Sequence, residues 1–223
     1  MTRILCSLCL TLLTLAMTGC RDNAQESNTA TADNTGNMIK TAKVKDGAKS
    51  VLIISSSPRR GGNSELLCQQ FKKGAEEAGH TVEMININDY DIRYFDQREY
   101  DREASAAQMD DASAIIAKMK SADVIVLSSP VYFYNMTAQL KALIDRTYGH
   151  EKDLREKEFF YISTSTDRDE DATDAVFEGF HGFARCLYGS IERGIIRGNG
   201  ARNRGDIDNH PAMQQAYEMG KAV

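Results

Sequence analysis

The chain has 223 residues, 42% of them hydrophobic, which suffices for one well-formed core of a doubly wound domain. Lys and Arg number 27 against 32 Asp and Glu, a net charge of −5. No basic tract interleaved with aromatics occurs, which argues against nucleic acid as a partner.

Residues 1–20 stand outside the fold. Arg3 gives a positive start, Ile4 to Met17 is a mostly apolar run without charge, and Thr18 and Gly19 lead into Cys20. The run is short of the ~20 residues that a membrane-spanning helix needs, so it reads as a secretory signal with a processing site. A cysteine at that point resembles a bacterial lipoprotein signal, although Met17 stands where leucine is more usual. The resemblance implies lipidation of Cys20 and an exported protein held on a membrane of the periplasm or cell envelope, since each buried CH₂ of an acyl chain contributes about 0.8 kcal/mol. The alternative is a plain signal peptide whose cysteine is incidental. Residues 21–48 are rich in Asn, Thr, Ala, Asp and Ser and hold no aromatic residue, so they read as a disordered tether. As a flexible coil they reach on the order of 30 Å.

Residues 49–223 form the domain. Val51 to Ile54 is an unbroken apolar run, as in a parallel strand buried on both faces. It leaves through Ser55-Ser56-Ser57-Pro58-Arg59-Arg60-Gly61-Gly62, where Pro58 cannot continue a central strand. Asn63 or Ser64 is placed to cap a helix, and Leu67, Phe71, Ala75 and Ala78 follow as its apolar stripe. Strand, hydroxyl-rich loop and helix in that order build an anion site from free N–H groups and serine hydroxyls, with Arg59 adding a fork of donors. The bland alternative is an ordinary strand-to-helix turn rich in small polar residues. Neither a P-loop nor a G-x-G-x-x-G dinucleotide fingerprint is present, so a terminal monophosphate suits the loop better than either.

Gly79 ends the first helix, and His80 to Ile87 alternates into a second strand. Asn88 to Arg102 is a polar loop carrying Tyr94, Phe95, Gln97 and Tyr100. Ala104 to Lys120 reads as a helix with Met109, Ala112, Ile116 and Met119 on one face. The third strand, Asp123 to Ser128, exits at Pro130 into the aromatic loop Val131-Tyr132-Phe133-Tyr134-Asn135-Met136. An aromatic loop beside a phosphate loop suits a flat ring system, or its rings are core or interface residues. A helix with Leu140, Leu143 and Ile144 buried follows, then a fourth strand from Phe159 to Ile162 and the hydroxyl-rich exit Ser163 to Thr166. The acidic run from Asp167 to Asp174 reads as a solvated helix start. After that helix, ended by Gly189, Ser190 to Ile196 is a fifth strand. Arg197 to Gly205 is a basic loop that either meets a nucleotide phosphate or an acidic partner or is a mobile surface loop, and Pro211 opens the last helix. Cys68 and Cys186 fall in predicted helices on opposite faces of the sheet, too far apart for a disulfide, and read as small buried apolar residues.

Ser57-Pro58-Arg59-Arg60-Gly61-Gly62-Asn63-Ser64 and Ser129-Pro130-Val131-Tyr132-Phe133-Tyr134, with Leu140-Lys141 and Ile144-Asp145-Arg146 behind the second, resemble the phosphate and flavin loops of the flavodoxin-like NAD(P)H-dependent FMN reductases. The branch that includes the iron-sulfur flavoproteins is the most similar. The alternating elements form a three-layer α/β sandwich whose flavodoxin-like order is 2-1-3-4-5, with the ligand beyond the carboxyl ends of the first and third strands. The resemblance implies bound FMN, its phosphate on Ser57, Arg59, Gly62, Asn63 and Ser64, and its ring against Pro130, Val131, Tyr132, Phe133 and Tyr134. Thr164 and Ser165 are further candidates, although the family often carries glycines there. The cysteine cluster of the iron-sulfur flavoproteins has no counterpart, since no cysteine lies between Cys68 and Cys186. The implied activity is electron transfer from NAD(P)H through FMN to an acceptor. An exported flavodoxin-like one-electron carrier fed by a membrane donor, and a binding module without a cofactor, are the alternatives. A homo-oligomer is compatible with each.

Overall fold

The computed structural model describes residues 47–97 and 110–223. The predicted signal, Cys20 and most of the tether lie outside the described residues, as do Tyr100, Met109 and the start of the predicted second helix.

The strands β1 (Ser50–Ser55), β2 (Thr81–Asn86), β3 (Val124–Pro130), β4 (Glu158–Thr164) and β5 (Ile191–Gly198) pair in parallel as one sheet in the order β2-β1-β3-β4-β5. The fold is flavodoxin-like, as expected. Apolar runs explain the centre of the sheet: Val51 to Ile54, Val124 to Leu127 and Phe159 to Ile162 are all buried, because helices cover both faces. The fourth strand is longer than its apolar run, taking in Glu158 at one end and Ser163 and Thr164 at the other. Glu158 is buried with Lys49, 2.8 Å away, and accepts from Arg193 Nε at 2.6 Å. Burial pushes its carboxyl up, but the hydrogen bonds from Lys49 and Arg193 outweigh that and hold it below the usual range.

Helices α1 (Asn63–Glu77) and α5 (Pro211–Lys221) cover one face, burying Leu67, Phe71, Ala75, Ala212 and Ala216 against Val51, Ile53, Val126 and Ile162. Helices α2 (Ala112–Ser121), α3 (Ala138–Arg146) and α4 (Asp174–Arg185) cover the other, with Ile115, Met119, Leu140, Leu143, Phe177 and Phe180 on Ile54, Ile125, Leu127 and Tyr161. The helices α1 and α5 touch backbone to backbone: a Cβ on Gly74 would fall 2.1 Å from the Tyr217 carbonyl, and one on Gly220 2.1 Å from that of Phe71. This crossing fixes α1, whose first turn carries the candidate site.

Cys68 lies in the core under α1, as expected, and burial pushes its thiol up to about 12. Cys186 corrects the expectation: it follows the last turn of α4 and is exposed. The helix α4 ends at Arg185, earlier than expected, and Gly189 belongs to the following turn with φ of 73°, while Leu187 beyond the helix end is still buried in the same core.

Candidate functional site

The carboxyl ends of β1, β3, β4 and β5 open at one end of the sheet. Because β1 stands between β2 and β3, chains leaving β1 and β3 diverge there, which makes a crevice. The exit of β1 is held on all sides. Ser56 donates its N–H and its hydroxyl to the Ser128 carbonyl at 3.0 and 2.9 Å. Asn86 and Asn88, at the end of β2, donate to the Ser57 and Ser56 carbonyls at 3.0 and 3.1 Å. The turn closes through Gly62 N–H on the Arg59 carbonyl at 2.9 Å, with Gly61 at φ of 61°. Gly62 itself has ordinary dihedrals, yet a Cβ there would lie 2.8 Å from the Arg59 carbonyl and 3.0 Å from Ser57 Oγ. Position 62 therefore needs glycine for room, and position 61 for its positive φ.

Gly62, not Asn63 or Ser64, caps α1, and no side chain does so. This corrects the capping expectation and leaves the first-turn N–H groups without intrahelical acceptors. Ser64 lines the pocket, and its Oγ is buried with no hydrogen-bond partner. A buried hydroxyl left unpaired costs about 1–3 kcal/mol in proteins, so an acceptor ligand at this point is physically favoured.

The third strand exits differently from expectation. Val131 N–H is spent on the Thr164 carbonyl at 2.8 Å and Tyr132 N–H on the Asn135 carbonyl at 2.9 Å, so neither is free for a ring edge. Tyr132 and Asn135 pair as a two-residue hairpin whose central residues, Phe133 and Tyr134, have φ of 49° and 59°. Such a turn favours Asn-Gly, and bulky residues there are strained by roughly 1–3 kcal/mol each. Phe133 is 102% exposed, and Tyr134 donates its hydroxyl to Asp167 Oδ2 at 3.1 Å. That bond, formed by the neutral phenol, raises the Tyr134 pKa. Asp167 is held below the usual carboxylate range by the Asp169 N–H and then by Tyr134.

A pocket of about 80 Å³ lies between these loops. It gathers Ser57, Arg59, Gly62, Asn63, Ser64, Pro130, Val131, Tyr132 and Thr164, all candidates from the sequence. Phe133, Tyr134 and Ser165 do not line it. Ser165 is turned inward, its N–H on the Gly198 carbonyl at 3.2 Å and its Oγ accepting from Asp167 N–H at 3.1 Å. Three further residues line it: Thr166, and Ala201 and Arg202 of the basic loop, for which the sequence leaves contact with a nucleotide phosphate as one alternative. The basic loop after β5 is thus a wall of the pocket rather than a mobile surface loop. Its path follows from α5 covering the same face as α1: the chain must cross the sheet end from the edge strand, pinned where Ile207 is buried close to Gly198. The loop's arginines were the available signal. Arg197 is not free for a nucleotide, being paired with Asp174 at 2.7 Å and stacked 4.7 Å from the Phe177 ring.

In the described part of the loop after β2, Phe95 is edge-on to Tyr148 at 5.4 Å, away from this pocket, and Tyr94 is exposed. No group of His, Cys, Asp and Glu able to hold a metal is found among the described residues.

A fold and pocket of this kind define a mononucleotide-binding α/β protein. The sequence matches the NADPH-dependent FMN reductase family over residues 50–178, and the chain belongs to that family. FMN is the cofactor that this membership brings. The chain is 39% identical to the iron-sulfur flavoprotein MJ1083 of Methanocaldococcus jannaschii over 98 residues, 44% of this chain and 51% of that protein. It therefore spans about half the length of the curated iron-sulfur flavoproteins it matches. Among solved structures, the NAD(P)H:quinone oxidoreductase of Methanothermobacter marburgensis aligns with a TM-score of 0.64 at 19% identity, covering 78% of this chain and 96% of that one. An FMN-dependent NADH-azoreductase of Bacillus anthracis in complex with FMN aligns with a TM-score of 0.59 at 17% identity, covering 78% and 98%.

The residues present fit a phosphomonoester. The unpaired Ser64 hydroxyl and the first turn of α1 belong to residues that line one small polar pocket.

Proposed function

We propose that this protein is an FMN-dependent oxidoreductase that takes electrons from NAD(P)H and passes them to an acceptor. One observation carries the reading: loops from β1, β3, β4 and β5 converge on a single pocket that contains a buried, unpaired hydroxyl at a helix start. Bound FMN supplies hydride acceptance and electron release there. The Ser64 hydroxyl and the first-turn N–H groups of α1 hold the phosphate, with the remaining guanidinium donors of Arg59 adding charge, while Ser57 and Gly62 shape the loop, their own donors going to the Arg59 carbonyl. Pro130, Val131 and Tyr132 offer side-chain and carbonyl surface to the ring, and Thr164 and Thr166 close the pocket from the β4 side. The paired hydrogen bonds between Tyr132 and Asn135 and the bond from Val131 N–H to the Thr164 carbonyl hold the hairpin in one shape despite the strain at Phe133 and Tyr134, so this wall is formed before the ligand arrives. Cys68 stays a thiol, since burial pushes it up to about 12, and takes no part as a nucleophile.

The location follows from the first 48 residues. Acylated Cys20 anchors the mature protein to a cell-envelope membrane, and residues 21–48 hold the domain off it. Mass spectrometry of the mature N-terminus should find acyl chains on Cys20, and an unmodified N-terminus removes the anchor.

The activity is tested by mixing the FMN-loaded protein anaerobically with NADPH or NADH. Bleaching of the flavin absorbance with turnover is expected. Bound FMN that stays oxidised under excess of both nucleotides would refute the oxidoreductase reading while leaving the cofactor in place.

A further inference from the structure

Two residues expected to reach for the phosphate, Ser57 and Asn63, spend their donors elsewhere, Ser57 Oγ donating to the Arg59 carbonyl at 3.2 Å. Asn63 Nδ2 donates to the carbonyls of Ala201 and Asn203 at 3.1 and 2.8 Å, and its Oδ1 accepts from Gly205 N–H at 3.2 Å. An amide side chain has two N–H donors, so Asn63 has none left for a ligand unless it releases the loop after β5. Arg59 gives one guanidinium nitrogen to the Arg202 carbonyl at 3.0 Å. Arg204 returns the connection by donating to the Arg60 carbonyl. The phosphate loop and the loop after β5 are therefore laced together.

Arg202 stands in the opposite condition. Its backbone is fixed at both ends, the N–H on Asp206 Oδ2 at 3.0 Å and the carbonyl on Arg59. Arg202 lines the pocket and is exposed, and among the described residues its guanidinium makes no hydrogen bond or ion pair. A planar fork of five donors on a fixed backbone suits a phosphate dianion better than a surface role requires.

Resting on the FMN reading, we propose that Arg202 is the specificity residue that reads phosphate charge in this pocket, and that Asn63 is a positioning residue holding Arg202 over it. Arg202 thereby distinguishes the phosphorylated flavin from riboflavin. The same chemistry is offered by the extra phosphate of NADPH, so the experiment separates the two sources.

Purified full-length wild type, Arg202→Gln and Arg202→Lys are titrated with FMN and with riboflavin, following flavin fluorescence. Arg202→Gln should weaken FMN about 10- to 100-fold, the range for hydrogen bonds to a charged group, and leave riboflavin within about 2-fold. Arg202→Lys should fall between, keeping charge without the fork. Asn63→Ala should weaken FMN and also raise amide exchange across residues 199–206, a change Arg202→Gln does not produce. An unchanged FMN-to-riboflavin ratio in Arg202→Gln overturns the proposal. So does a lost preference for NADPH over NADH with FMN affinity intact, which would assign the residue to the donor's phosphate. A wild-type chain that binds neither flavin overturns both this assignment and the cofactor reading beneath it.

Discussion

Ser64→Ala should move stability and cofactor affinity in opposite directions. The side chain is 1% exposed, and its oxygen has no partner in the folded chain. Folding therefore removes that hydroxyl from water without return, at about 1–3 kcal/mol by mutational measures. Alanine removes the cost and has the better helix propensity by a few tenths of a kcal/mol. Without cofactor, the variant should be more stable by about 1 kcal/mol, read from the urea midpoint at unchanged m-value. With cofactor, it lacks a donor to a charged phosphate oxygen, and FMN affinity should fall about 10-fold or more by fluorescence titration. Ser55→Ala is the control, because Ser55 Oγ is also buried and unpaired but does not line the pocket. It should gain stability and leave FMN affinity unchanged. A Ser64→Ala protein that loses stability while binding FMN as before would refute the reasoning, since the hydroxyl would then serve the fold and not a ligand.

Further outcomes follow from packing, charge and strain. Gly220→Ala places a Cβ 2.1 Å from the Phe71 carbonyl and should cost about 1–3 kcal/mol or more, whereas Gly182→Ala meets nothing within 4 Å and should gain about 0.5–1 kcal/mol in denaturant titrations. The Glu158 carboxyl is held below its usual range, so its contribution to stability is present above the unfolded-state pKa and is lost as pH falls through the folded one. Glu158→Gln should be less stable at neutral pH and should lose less on acidification through that window. Replacing Phe133-Tyr134 with Asn-Gly suits the two positive φ angles and should stabilise the protein by roughly 1–3 kcal/mol in denaturant titrations. A loss of stability would show that the turn is not strained.

The sequence makes the centre of the sheet legible because burial on both faces leaves continuous apolar runs, as at Val51 to Ile54 and Val124 to Leu127. The phosphate loop is legible because Pro58 and two glycines must leave the strand before α1. What escapes is decided by contacts distant in sequence. Asn63 looks like a cap or phosphate ligand from its neighbours, but its partners are some 140 residues away. The wall formed by Ala201 and Arg202 depends on the return of the chain from an edge strand to α5, which local pattern does not encode. The aromatic run after Pro130 suggests rings turned toward a ligand, yet a two-residue reversal puts Phe133 wholly into solvent. Cys186 reads as a small buried apolar residue of a helix, and it is exposed because the helix ends one residue before it.

The most direct measurement is an equilibrium titration of the purified full-length protein with FMN, monitored by flavin fluorescence and the visible spectrum. The account predicts saturation at one FMN per chain, with affinity reduced by Ser64→Ala and by Arg202→Gln. An FMN signal that stays that of the free flavin at every protein concentration would contradict it.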